Sequence, residues 1–127
     1  MITAPKINES QLKNFLNETY SFKVLRITFN PKGEASWGYI IETNKGKYFL
    51  KLYKKALPFL EEATELTFRL YSEFGIVEIV HAVKAINGKT TNIFENYQVV
   101  VFNFIEGKEI IYHAFHAFAS EKQLANC

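Results

Sequence analysis

From Ile7 to Tyr20 the apolar residues Ile7, Leu12, Phe15 and Leu16 fall near helical spacing, and Asn8 or Ser10 can cap the first turn. This pattern predicts a short N-terminal helix. From residue 22 the period drops to two. "FKVLRITF" (22–29), "WGYIIE" (37–42) and "KYFLKLY" (47–53) are rich in β-branched and aromatic residues, and each predicts a strand. "NPKGEAS" (30–36) and "TNKG" (43–46) carry the turn chemistry between them, Asn44 and Gly46 being suited to positive φ. The helical period returns in "LPFLEEATELTFRLYSEFG" (57–75), where Leu60, Ala63, Thr67, Leu70 and Phe74 share one side. Pro58 suits the first turn of that helix and Gly75 the position after its end. "VEIVHAVKAI" (77–86), "TTNIF" (90–94) and "YQVVVFNFI" (97–105) then predict two or three more strands around the turn "NGK" (87–89).

Short hairpin links make such a sheet antiparallel, and a helix must cover it. The order therefore predicts an α+β fold: a five-stranded antiparallel sheet, one long covering helix and a short N-terminal helix. The segment 108–127 fits neither period cleanly, although Tyr112, Phe115 and Phe118 could line one side of a helix.

Composition narrows the function classes. A chain of 127 residues, 48% hydrophobic and 22% charged, is sized for one domain with a real core. A net charge of +2 without a basic tract argues against nucleic acid as partner. No apolar run of about 18 residues is present, so no membrane span is expected. "MITAPKINES" lacks the pattern of a signal peptide, and the single Cys127 cannot staple a fold, so a cytoplasmic protein is expected. All 13 acidic residues are glutamates. That removes any Ser-His-Asp arrangement. His113 and His116 have helical metal spacing but no evident third ligand, so no metal site is expected.

Lys51 is the residue that asks for an explanation. Alternation puts it on one strand face with Phe49 and Tyr53, and the other face, with Tyr48, Leu50 and Leu52, is just as apolar. A buried ammonium needs a partner or a purpose. Glu62, eleven positions on and flanking the apolar stripe of the long helix, is the expected carboxylate, with Glu65 its rival and Glu61 farther round. The pair would leave lysine donors for a phosphate. Gly33-Glu34-Ala35-Ser36-Trp37-Gly38 has Walker A glycine spacing, but it lacks the Lys and Ser/Thr and precedes a strand, which excludes a P-loop. It can still act as a hairpin lid. "VVVFNFIEG" ends in a turn, where the Asn103 C=O and Ile105 N–H are candidate contacts for an adenine edge.

A glycine hairpin, a strand lysine, a helix glutamate and a strand running into a hinge, in that order, resemble a protein-kinase-like small lobe. More closely, "KGEASWGYII", "GKYFLKLYKK", "LPFLEEATELTFRLYSEFGI" and "VVVFNFIEG" resemble the N-terminal lobe of the aminoglycoside phosphotransferase family, with the homoserine-kinase and choline-kinase relatives behind it. The resemblance implies ATP as ligand: Lys51 on the α- and β-phosphates, Glu62 as its helix partner, Gly33 and Ser36 over the phosphates, Asn103 and Ile105 as hinge. Trp37 departs from the family, where a small polar residue is common. The family's H-x-D loop and metal-binding aspartate are not in this sequence: His81, His113 and His116 are followed by Ala-Val, Ala-Phe and Ala-Phe.

The expectation is a lobe over residues 1–107 and a tail, 108–127, that begins a missing C-terminal lobe. It is a truncated phosphotransferase lobe, inactive alone, binding nucleotide weakly and Mg²⁺ only when that lobe is supplied. The alternatives are an interaction module that pairs through its aromatic tail, as a homodimer for instance, and a plain α+β domain with an incidental lysine.

Overall fold

The computed structural model describes residues 7–31, 36–76 and 79–105. The three alternating segments form an antiparallel meander of β1 (Val24–Asn30), β2 (Ser36–Thr43) and β3 (Gly46–Tyr53). The β2–β3 turn is built by its own side chains. The Thr43 hydroxyl accepts the Lys45 N–H at 3.0 Å, and Gly46 takes a φ of 113°. After the helix, β4 (Asn92–Phe94) and β5 (Tyr97–Asn103) form a hairpin whose β5 strand pairs with β3. The sheet order is β1-β2-β3-β5-β4, all antiparallel. This is the expected five-stranded α+β architecture.

Helices cover both faces. α1 (Glu9–Thr19) is capped by Asn8, whose side chain accepts the Gln11 N–H at 3.1 Å. It buries Leu12 and Leu16 against Val24, Ile41, Leu50, Leu52, Val99 and Val101. α2 (Leu60–Ser72) buries Leu60 and Ala63 against the opposite face, among Phe49, Tyr53, Val100 and Phe102. α2 stops before Phe74, which is 67% exposed instead of lying in the apolar stripe. Gly75 turns the chain with a φ of 69°, and the Ile76 N–H returns to the Leu70 C=O at 3.2 Å.

The strand expected over 77–86 is not formed in its described part. Residues 79–85 make one isolated bridge, Ala82 to Phe102, and the Val83 N–H reaches the Val101 C=O at 2.8 Å. The Asn103 N–H donates to the His81 C=O at 3.2 Å and the Ala85 N–H to the Lys89 C=O at 2.9 Å, and two further N–H groups are taken by side chains. The Ala82 N–H donates to the Thr67 hydroxyl at 2.9 Å, and the His81 N–H to Asn103 Oδ1 at 2.8 Å. The segment is a strut wedged between α2 and β5. The tail 108–127, with its expected aromatic side, lies outside the described residues. Among the described residues no helix is long and apolar enough to cross a membrane.

Candidate functional site

β3 carries Lys51 into the interface between sheet and α2, on the face of Phe49 and Tyr53. Only 5% of it is exposed. In register it faces Gly38 on β2 and Val100 on β5. Burial pushes its ammonium down to about 8, because the low-dielectric surroundings disfavour the charged form. Gly38 is required for this packing. A Cβ there would lie 2.8 Å from Cζ of Phe49, whose ring occupies the space beside the lysine strand. Around Phe49 lie Phe102 and the partly buried Ile40, Leu57, Phe104 and Ile105. The site thus joins one buried cation to an aromatic floor. Alternation already placed Phe49 on the lysine face, but nothing in the sequence distinguished it there from a core residue.

The remaining expected site residues fall unevenly around that centre. Ser36 begins β2, 5% exposed, two residues from Gly38 and on the same face; Gly33 lies outside the described residues. Trp37 points to the α1 face, edge-on to Tyr97 at 5.3 Å and beneath the Lys54 ammonium at 5.0 Å, so it does not crowd the lysine face. Asn103 ends β5, and its side chain serves the strut. Oδ1 accepts the His81 N–H, and Nδ2 donates to the Ile79 C=O at 3.2 Å. Ile105 packs beside Phe104 at the edge of the aromatic floor.

The expected Lys51–Glu62 contact is not made: among the described residues no ion pair joins them, and Glu62 is exposed. The reason is the helix's rotation. Its buried arc is centred on Leu60, Ala63 and Thr64, and at about 100° per residue this turns Glu62 outward. Glu65, the rival, binds Lys84 at 3.2 Å. Glu61 is the carboxylate that α2 turns toward the sheet's far side. It accepts the Thr91 N–H at 3.0 Å, and the Thr90 hydroxyl and N–H at 3.2 and 3.4 Å. The Thr90 hydroxyl also meets that of Thr64 at 2.6 Å. This cluster fastens the first turn of α2 to the entry of β4. Its sequence signal was only a Thr-Thr pair after a turn.

A five-stranded antiparallel sheet with a buried lysine on its third strand and a helix over each face has the architecture of a kinase-like small lobe. Among solved structures, the chain is similar to spectinomycin phosphotransferase APH(9)-Ia in complex with ADP and spectinomycin, with a TM-score of 0.64 over 80% of this chain and 21% identity. The AMP-bound complex of the same enzyme matches with a TM-score of 0.57 over 76% of the chain, also at 21% identity. The likeness is one of fold. The chain spans 31% and 28% of the length of those two structures. No family model and no curated protein matches the sequence.

Proposed function

We propose that this chain is the nucleotide-binding small lobe of an ATP-dependent phosphotransferase acting on a small molecule of the aminoglycoside kind, and that it is inactive by itself. The observation that carries the reading is Lys51: a lysine held 5% exposed on β3, beneath α2 and beside an aromatic floor. An ammonium kept in so unfavourable a place is suited to neutralising phosphate oxygens. Phe49 and Ile105 offer a planar base an apolar surface, and the backbone at Asn103 and Ile105 offers its edge hydrogen bonds. Glu62 joins Lys51 only if α2 turns when nucleotide binds. The two structures of similar fold hold ADP and AMP, which supports an adenine nucleotide as ligand.

Phosphoryl transfer also needs a base that orients the acceptor hydroxyl and carboxylates that hold Mg²⁺. The chain has no aspartate. In this proposal residues 1–107 form the lobe, residues 108–127 lead toward a second lobe that supplies both groups, and the protein works in the cytoplasm, where ATP is abundant. Nucleotide bound by the small lobe alone is covered on one side, so affinity is weak, because pockets normally bury about 70–90% of a ligand. An NMR titration with ATP tests this. Amide shifts should concentrate at Gly38, Lys51 and residues 103–105, without saturation at micromolar nucleotide. Shifts confined to the α1 face would overturn the assignment.

A further inference from the structure

β1 is one edge of the sheet, and among the described residues it pairs with β2 alone. Alternate residues of such a strand turn their N–H and C=O groups outward, and a long edge accepts another strand unless it is short, charged, bulged or covered. β1 has seven residues. Its one charged residue, Arg26, is tied back to Glu42 at 2.7 Å, and its irregularity is confined to the Val24/Arg26 end. Leu25 is 60% exposed on this edge. Beside it runs a groove of about 300 Å³, lined by Glu9, Ser10 and Lys13 of α1 and by the first residues of β1.

We propose that this edge is where two copies of the chain join, β1 antiparallel to β1 about a two-fold axis through Ile27, so that the two sheets become one. The strand itself selects a second copy. Pairing about Ile27 matches all seven residues: Val24 with the other copy's Asn30, Leu25 with its Phe29, Arg26 with its Thr28. The exposed Leu25 gains an aromatic neighbour, since Phe29 is only partly buried in one chain. Arg26 avoids a second Arg26, which a register one residue earlier would set directly opposite. The charges of α1 are self-complementary as well. Glu9 and Lys13 line the groove beside the first residues of β1, so the axis brings these opposite charges of the two copies to one joined edge. Neither residue is in an ion pair among the described residues. An isologous contact of this kind closes on itself and does not propagate into fibres. None of this depends on the nucleotide reading.

Sedimentation of the full chain across micromolar concentrations is the test, with circular dichroism to verify that each variant folds. The wild type should show a concentration-dependent dimer. Lys13→Glu should weaken it about tenfold by opposing two glutamates across the axis, and the Glu9→Lys/Lys13→Glu double variant should restore it. In a Cys127→Ser background, Ile27→Cys should give a disulfide-linked dimer on mild oxidation. Directly opposed residues of antiparallel strands have Cα atoms about 4.5–5.5 Å apart, within disulfide reach. Thr28→Cys, opposite residue 26, should not cross-link. A chain that stays monomeric overturns the proposal. So does a dimer that ignores Lys13→Glu and fails to cross-link at position 27.

Discussion

Lys51 sits where its charge is a liability to the fold. The unfolded chain holds this proton up to about 10.5 and the folded chain only up to about 8. Between those values the unfolded state binds more protons, so stability climbs with pH across that window and is lowest below it. A difference of this size corresponds to roughly 3 kcal/mol. Lys51→Met should therefore stabilise the chain at neutral pH by up to about 3 kcal/mol and flatten the rise above pH 8. Urea melts of both proteins over pH 7 to 10 would show it, and a variant less stable than wild type at neutral pH would contradict it. The lysine's face was legible in the sequence, because a strand's period of two is rigid and Phe49, Lys51 and Tyr53 must share a side. Glu62 was not legible to the same degree. A helix can roll by tens of degrees, and here Thr64, a polar residue absent from any apolar stripe, is fully buried through its hydroxyl contacts with Leu60 and Thr90. That hydroxyl network sets the roll and turns Glu62 out.

At the scale of elements, α2 is held by its own side chains, which reach groups of other segments along its length. Glu61 grips residues 90 and 91 at its start, and Thr67 takes the Ala82 N–H farther along. Tyr71 stacks on the His81 ring, with centroids 3.9 Å apart. Glu61→Ala leaves part-buried donors without their acceptor, so it should destabilise the chain by about 2 kcal/mol. Glu62→Ala, at an exposed position, should stay within about 0.5 kcal/mol of wild type. Thermal melts of the two variants decide between them, and equal losses would mean that Glu61 does not fasten the helix. These contacts also explain why strand periodicity failed over 79–85. "VEIVHAVKAI" has the composition of a strand, but Thr67 and Asn103 capture its N–H groups, and β4 already occupies the other part of β5's edge. Side-chain acceptors on distant elements leave no local pattern. The hairpins of β1, β2 and β3 could be read because turn residues and alternation are adjacent in sequence.

At the scale of the whole molecule, the two faces of the sheet are covered differently. α1 seals one face with aliphatic and aromatic side chains, while α2 seals the other around a single buried cation. In the function proposed above, the chain keeps that buried cation for a ligand contact, at a cost in stability. The central claim is that the contact is with nucleotide phosphate. The measurement that tests it most directly is a calorimetric or NMR titration of ADP into the wild-type chain and Lys51→Met, run beside their thermal melts. The account predicts that Lys51→Met melts higher yet binds ADP about 10- to 100-fold more weakly, the worth of a charge-assisted contact. A variant that binds ADP as well as the wild type would contradict it and leave Lys51 without a role in nucleotide binding.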